Sequence, residues 1–243
     1  LLPMLERHRG VAAPVAAAFE RFAAWDGRFD AEAAAPALYF FTMRELVFRC
    51  FRPLLGDAVG GRFAAGRRSL PRLHRMLLDP EDPLRADVEA AAGRSLPDLA
   101  ADAFRAAVAR VVRHCGTRAA DWSWGKIQRV RLGTLLAEIP GLGDRFVALE
   151  APFPGDDYTV SPSRPLDEKR RLRTLIGASS RFVCDLSKPE EALFAHSAGP
   201  RGDPGSTLFA NLSEPWLRFE HFRSALWKAD EVPDPVERIV AGD

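Results

Sequence analysis

Apolar residues recur at three- and four-residue spacing through the first part of the chain, which predicts helices packed on a core. The alanine-rich stretch from Val11 to Trp25 is predicted to form the first of them. Asp30 is a suitable N-cap for a long helix that runs toward Pro53. Leu38 and Phe41 widen its apolar surface, so this helix is predicted to be largely buried, with one face formed by Ala35, Tyr39, Met43, Leu46 and Cys50.

Three shorter helices are predicted to follow, because capping residues and helix-ending residues alternate along this stretch. Pro83 suits the first position of the middle helix. Asp98 forms a capping-box-like pair with Ser95, and the third helix buries a face of Phe104, Val108, Val111 and Cys115. The predicted starts and ends are Ser69 with Pro80, Asp82 with Gly93, and Ser95 with Arg113.

After Asp121 the pattern changes, because proline and glycine become frequent and short β-like runs lie between them. A final helix is predicted to start near Ser213. The sequence thus predicts an α+β fold, with a helical segment over 1–120 and a β-rich segment with a closing helix over 121–243. The candidate strands are Lys126–Leu132, Arg145–Leu149, Tyr158–Val160, Arg181–Leu186 and Ala192–Ser197.

Composition excludes several classes of protein. The 243 residues carry a formal charge of only +1, which argues against a dedicated nucleic-acid-binding protein. No apolar run reaches the roughly 18 residues that a membrane-spanning helix needs. The three cysteines lie far apart and predict buried thiols rather than a disulfide framework or zinc site. The basic cluster Lys169, Arg170, Arg171 and Arg173 is interpreted as a solvated surface segment.

No standard catalytic motif is complete. Ser179 lies in a sequence that resembles a GxSxG elbow, but Arg181 replaces its last glycine. The histidines include no pair at helical metal-binding spacing, and the glycines of 141–146 do not form a dinucleotide-binding loop. A hydrolase that uses Ser179 with His196 and Asp185 stays open as an alternative. We assign no catalytic, cofactor-binding or metal-binding residue within this chain.

Five segments carry a family resemblance in the same order along the chain. They are similar to the WDG-x-x-DA turn, the W-x-WG signature, the P-x-PGDG-x-TV turn, the GAS-x-R-x-VVDL strand and the G-x-SGNPGS loop of penicillin acylases. Closing tryptophans at Trp216 and Trp227 add to the pattern. The sequence therefore resembles the C-terminal part of the β-chain in the penicillin acylase family of N-terminal-nucleophile (Ntn) hydrolases, through Trp25–Ala31, Trp122–Gly125, Pro152–Val160, Gly177–Leu186 and Gly199–Ser206.

The sequence departs from the family pattern at four places. Gln128 stands where many relatives have a histidine, and Thr134 with Leu135 replaces a His-Pro-Leu segment. Pro200–Asp203 stands where Gln-Ser-Gly-Asn is usual, and Leu208 with Phe209 replaces His-Tyr. These changes put local loop contacts in question, not the family itself.

The resemblance implies a precursor that cleaves itself into two chains and uses the new N-terminal serine as nucleophile, with its own α-amino group as base. The serine, the oxyanion-binding asparagine and the family's calcium ligands are expected upstream, since Leu1 has no hydroxyl or thiol. This chain would supply outer helices and later strands of an αββα sandwich, with no cofactor of its own.

The resemblance also implies partners and a substrate. The expected partner is the upstream remainder of the same precursor, and the expected substrate is a small acyl amide such as an acyl-homoserine lactone or a β-lactam side chain. The isolated chain is expected to be inactive and poorly soluble. A non-catalytic or degenerate binding module is the alternative. The compartment stays open, although the family suggests a bacterial periplasmic or extracellular location.

Overall fold

A computed structural model describes residues 1–6, 13–66, 68–167 and 172–223. Helices dominate the first half of the chain and short strands the second, which confirms the predicted α+β class. The helices are α1 (Leu2–Glu6), α2 (Ala13–Ala23), α3 (Ala35–Ala65), α4 (Ser69–Leu78), α5 (Pro83–Ala92), α6 (Leu96–Cys115), α7 (Trp124–Ile127) and α8 (Ser213–Leu217). The strands are β1 (Gln128–Gly133), β2 (Val147–Pro152), β3 (Ser163–Asp167), β4 (Leu172–Gly177), β5 (Ser180–Val183), β6 (Leu193–His196) and β7 (Phe222–Arg223).

The strands form two sheets. One has the order β2–β1–β4–β3, and β1 runs parallel to β4 with Gln128 opposite Leu172. The other has the order β5–β6–β7 and is antiparallel, so β5 lies at one of its edges. The αββα sandwich implied by the family resemblance stays a prediction.

The chain divides into two compact units that alternate along the sequence. Unit 1 comprises Leu1–Val130 and Ala151–Ile176, and unit 2 comprises Arg131–Glu150 and Gly177–Asp243. The core of unit 1 is formed chiefly by α3 against α6, with α4 and α5 beside them. Its large fully buried side chains include Leu38, Met43, Leu46, Phe51, Leu73, Met76, Leu96, Trp124 and Ile127.

The long helix α3 starts later and ends later than the sequence predicts. Asp30 does not cap it, because the chain first makes a turn in which the amide of Ala33 donates to the carbonyl of Asp30. The helix continues past Pro53 and bends at Gly56, where φ is 74°. Gly60 then lies so close to Arg52 that an added Cβ would be 2.7 Å from its Cα. In a straight helix these residues would be about 12 Å apart, so the helix folds back on itself at Gly56.

Two of the three predicted caps of the shorter helices are present. The side chain of Asp82 accepts a hydrogen bond from the amide of Leu84, and that of Ser95 accepts one from the amide of Asp98. Gly93 ends α5 in the left-handed conformation. Ser69 is not a cap, because it lies at the first position of the helix itself. Its hydroxyl donates to the carbonyl of Gly66.

Predicted strands agree with β1, β2, β5 and β6, with shifted ends. The prediction of a strand at Tyr158–Val160 is wrong, because these residues form a turn. The carboxylate of Asp156 accepts from the amide of Tyr158, and the hydroxyl of Thr159 accepts from the amide of Asp156. Such local side-chain bonds favour a turn over a strand. Strands β3, β4 and β7 were not predicted. Lys169, Arg170, Arg171 and Trp227 lie outside the described residues.

Candidate functional site

Two of the family motifs contact each other through main-chain hydrogen bonds in unit 1. The amide of Trp124 donates to the carbonyl of Ala33 (2.8 Å), and the amide of Gly125 donates to that of Ala31 (2.6 Å). A side chain at Gly125 would place its Cβ 2.5 Å from Cβ of Pro152. The glycine of the W-x-WG segment is therefore needed for this close approach. These bonds also use the carbonyls that precede α3, which explains why the helix starts only after them.

A third motif reaches the same place. The amide of Gly155 donates to the carbonyl of Phe29 (2.9 Å), and its carbonyl accepts from the indole Nε1 of Trp124 (3.0 Å). The ring of Phe29 packs edge-on against Trp25 and Trp124, with centroids 5.4 Å and 6.0 Å away. We call Trp25, Phe29, Trp124 and Gly155 the aromatic junction. It joins three segments that lie far apart in the sequence.

Titratable groups surround the aromatic junction. The hydroxyl of Tyr39 lies 2.7 Å from Nε2 of His74. Burial, with a smaller contribution from the charge of Asp156, raises the pKa of Tyr39 to about 12, so the phenol stays protonated at neutral pH. Burial lowers the pKa of His74 and raises the pKa of Asp156, which is only 4% exposed. These groups face hydrogen-bond partners in the protein interior, so the arrangement stabilises the fold.

Gln128, which stands in place of the histidine of many relatives, is fully buried beside the junction. Its Nε2 donates to Oγ of Ser163 (3.1 Å), and that hydroxyl donates to the carbonyl of Pro154 (3.1 Å). The amide of Phe153 donates to the carbonyl of Gln128. Gln128 therefore connects β1, β3 and the turn between β2 and β3. Its side-chain amide is neutral at every pH, so these hydrogen bonds do not depend on protonation of the side chain.

The later motifs meet in unit 2. Indole Nε1 of Trp216 donates to the carbonyl of Ala178 (2.8 Å), while Nη1 of Arg181 donates to the carbonyl of Trp216 (2.8 Å). The guanidinium carbon of Arg181 lies 4.8 Å from the ring of Trp216 and 4.3 Å from that of Phe219. We call Arg181, Trp216 and Phe219 the arginine clamp. It connects the GAS-x-R strand to the closing helix α8.

The contacts of the arginine clamp were not predicted from the sequence. Arg181 was expected only as the arginine of the GAS-x-R-x-VVDL motif and as the residue that replaces the last glycine of a serine elbow. A signal was present in the alternation of β5, which directs Arg181 and Phe182 to opposite faces of the strand.

The loop after β6 keeps its glycine anchor despite the altered residues. The amide of Gly199 donates to the carbonyl of Phe209 (3.2 Å), and an added Cβ at Gly199 would lie 1.8 Å from the carbonyl oxygen of Leu208. Within the changed segment, the carboxylate of Asp203 accepts from the amide of Gly205 (2.9 Å) and closes a local turn. The replacements at Leu208 and Phe209 thus keep the backbone contacts on which the loop depends.

Ser179, Asp185 and His196 do not form a triad. Oδ1 of Asp185 accepts from the amide and the hydroxyl of Ser187, and Nδ1 of His196 lies 3.1 Å from the carbonyl oxygen of Ala198. Among the hydrogen bonds of the described residues, none joins the three side chains. Their contacts are local to the ends of β5 and β6.

The part of the chain that the structure describes contains no group of three His, Cys, Asp or Glu side chains that suits a metal ion. The calcium ligands implied by the resemblance stay an expectation for upstream sequence. No described helix is both long and apolar enough to cross a membrane.

The aromatic junction and the arginine clamp are both built from segments that carry the family resemblance. A sequence model of the family described as Penicillin amidase matches residues 1–234, and the chain belongs to this family. The five motifs found in the sequence are therefore segments of a penicillin amidase family member. The structure shows the contacts that these segments make inside the chain.

Among individual relatives, acyl-homoserine lactone acylases QuiP are similar to this chain. That of Pseudomonas syringae pv. tomato is 25% identical over 209 residues, which is 84% of this chain and 25% of the relative. That of Pseudomonas fluorescens is 26% identical over 215 residues, with 84% and 25% coverage. That of Pseudomonas aeruginosa is 24% identical over 217 residues, with 83% and 26% coverage. The chain spans about a quarter of the length of these curated relatives.

Proposed function

We propose that this chain is a segment of a larger acylase-type amidohydrolase that cleaves an N-acyl amide bond. Membership of the penicillin amidase family over residues 1–234 carries the proposal. The relatives named acyl-homoserine lactone acylase QuiP make an acyl-homoserine lactone the first substrate to test, ahead of a β-lactam side-chain amide. Their fourfold greater length leaves room for the catalytic groups elsewhere in the full-length protein.

The proposed nucleophile is an N-terminal serine upstream of Leu1, released when the precursor cleaves itself. Its hydroxyl would attack the amide carbonyl, and its free α-amino group would act as the base. An α-amino group titrates near pH 8, so a useful fraction is unprotonated at neutral pH. An upstream asparagine and a main-chain amide would bind the oxyanion.

The proposed role of this chain is to hold the surrounding framework in place. The aromatic junction fixes α3, α7 and the turn before β3 with hydrogen bonds of 2.6 Å to 3.0 Å. The arginine clamp does the same for β5 and α8. Catalysis is sensitive to displacements of about 1 Å, so framework contacts of this kind affect rate without touching the substrate.

The test is hydrolysis by the full-length polypeptide. Release of free homoserine lactone from a long-chain acyl-homoserine lactone is measured, with a penicillin amide as the second substrate. Activity is expected in the full-length protein and not in the isolated 243-residue chain. Replacement of the serine that begins the catalytic chain by alanine should abolish turnover.

Two results would contradict the proposal. Turnover by the isolated chain would mean that the nucleophile lies within it. Saturable binding of the lactone by the full-length protein without any turnover would indicate a binding module instead of an enzyme.

A further inference from the structure

Arg181 is a cation whose hydrogen bonds are incomplete. Its Nη1 donates to the carbonyl of Trp216, but Nε and Nη2 carry no accessible surface and have no acceptor among the described residues. A buried N–H without an acceptor destabilises the fold, and more so when the group is charged. Burial correspondingly lowers the pKa of the Arg181 guanidinium. The surroundings of Arg181 therefore lack a hydrogen-bond acceptor that the side chain is built to use.

The acidic residues on either side of the Trp216–Phe219 segment are already paired. Glu220 contacts Nε of Arg218 at 2.7 Å, and Glu214 contacts Nη1 of the same residue at 3.5 Å. Arg218 is exposed, so it takes both carboxylates at the surface. Both carboxylates are thus engaged by Arg218 rather than by Arg181.

Phe219, which covers the guanidinium, has an unusual backbone. Its φ is 61°, and it is the single non-glycine residue with positive φ among those described. For a residue with a Cβ, this left-handed conformation is unfavourable. Phe219 is nevertheless 42% exposed, whereas Trp216 is buried. Of the two rings that cover Arg181, Phe219 is therefore the one that can move away more easily. Strain and incomplete hydrogen bonding occur together at the arginine clamp.

The strand that carries Arg181 is uncovered as well. β5 lies at the edge of its sheet, and its Phe182 and Val183 are 62% and 57% exposed. These two side chains point to opposite faces of the strand, so both faces present apolar surface. An edge strand with this composition is suited to packing against another polypeptide segment.

We infer that the arginine clamp receives an aspartate or glutamate carboxylate from the part of the full-length protein that precedes this chain, on the segment that covers β5. The inference rests on the proposed function, because it requires the longer protein. The relatives are about four times as long as this chain, so a full-length protein of that size has room for such a segment. The Nε and Nη2 edge of a guanidinium matches the two oxygens of a carboxylate, and the bidentate pair is stronger than a neutral hydrogen bond.

The experiment uses the full-length protein and compares Arg181→Met with Arg218→Met by melting temperature. Arg218 is the matched control, since it is an arginine in the same unit whose ion pairs are exposed. Arg181→Met is expected to lower the melting temperature by several degrees, because it leaves the upstream carboxylate buried without a partner. Arg218→Met is expected to have little effect. Arg181→Lys, which keeps the charge and loses the bidentate geometry, should fall between wild type and Arg181→Met.

Charge reversal then identifies the partner. In an Arg181→Glu background, each upstream acidic residue is changed to arginine in turn, and one position is expected to restore the melting temperature. If Arg181→Met is as mild as Arg218→Met, or if no upstream position restores Arg181→Glu, the inference is wrong. Stabilisation of wild type by millimolar acetate, absent in Arg181→Met, would identify a small carboxylate as the occupant and would also overturn it.

These readouts do not depend on hydrolysis. A protein that couples Arg181 to an upstream carboxylate but cleaves no amide would contradict only the proposed function. A protein that cleaves the amide and shows no such coupling would contradict only the inference about Arg181.

Discussion

Gly199 and Gly202 lie in the same loop, but only one of them is constrained by its neighbours. A Cβ at Gly199 would lie 1.8 Å from the carbonyl oxygen of Leu208 and 2.7 Å from that of Phe209, which is too close for any side chain. A Cβ at Gly202 would meet nothing within 4 Å. Since main-chain atoms form the obstacle at Gly199, no rotamer change relieves it.

Gly199→Ala is therefore expected to lower the free energy of unfolding by at least about 3 kcal/mol. Gly202→Ala should change it by less than about 0.5 kcal/mol. Urea denaturation followed by tryptophan fluorescence measures both, with the Trp216 environment as the local probe. Equal midpoints for the two variants would show that the loop is looser than its contacts indicate.

His74 is expected to make the stability of the folded chain depend on pH. Burial lowers its pKa in the folded chain below the ordinary value of 6.5. The unfolded chain therefore binds a proton at a higher pH than the folded chain does. It follows that stability is lost as the pH falls through 6.5 toward the folded pKa, and is retained above it.

Replacement of His74 by glutamine is expected to remove this part of the acid sensitivity. Urea unfolding at about pH 7.5 and about pH 5 should show a smaller loss of stability in His74→Gln than in wild type. Tyr39→Phe is the matched control, because it loses the hydrogen bond and leaves His74 buried. It should be less stable by about 1 kcal/mol at both pH values and keep the slope. An unchanged slope in His74→Gln would contradict the assignment.

At the scale of elements, the bend of α3 depends on one residue. Gly56 has a φ of 74° and nothing within 4 Å of its missing Cβ, so only the backbone conformation penalises a side chain there. Gly61, five residues later, is helical and equally open. Alanine has a higher helix propensity than glycine, so the same substitution has opposite effects at the two sites.

Gly56→Ala is expected to destabilise the protein by about 1–2 kcal/mol. Gly61→Ala should stabilise it by about 0.5–1 kcal/mol. Thermal unfolding followed by circular dichroism at 222 nm compares the pair directly. Stabilisation by both alanines would mean that α3 continues straight through residue 56.

The elements also show what the sequence could predict. The caps of Asp82 and Ser95 depend on residues two or three positions away, so local reading found them. Asp30 failed as a cap because the carbonyls of Ala31 and Ala33 accept hydrogen bonds from the amides of Gly125 and Trp124, which lie nearly a hundred residues later. The strand β4 was missed because its partner β1 lies more than forty residues earlier, and its charged surroundings suggested a surface loop.

The contacts of the candidate site were likewise predictable only in part from the sequence. Motif resemblance identified the segments of both contact sets, and the matching family confirms it. It did not predict which atoms meet, because the bond from Trp124 to Gly155 or from Arg181 to Trp216 depends on the complete fold. Long-range contacts of this kind leave no periodic trace in the sequence.

At the scale of the whole molecule, uncovered apolar side chains are the main feature. Phe182, Val183 and Leu186 are exposed together along and after β5. Leu78, at the end of α4, is also 84% exposed. It lies on a helix, however, where backbone groups bond within the helix itself. An edge strand offers unpaired backbone groups in addition to apolar area, so it promotes association more strongly.

The isolated chain is expected to self-associate, and Phe182→Lys should reduce this. Static light scattering over a concentration series measures the mass, and dye binding reports exposed apolar surface. Leu78→Lys is the control and should reduce association less. If the wild-type chain is a monomer with a cooperative melt, the exposed strand is harmless and the prediction is wrong.

The alternation of the two units along the chain has a consequence for its synthesis. Unit 1 needs residues up to Ile176, but the stretch Arg131–Glu150 that belongs to unit 2 leaves the ribosome before unit 1 is complete. That stretch must wait for the residues from Gly177 onward, which belong to the same unit. No single cut in the gene separates the units either, so neither can be expressed alone as one continuous fragment without rearranging the order of the chain.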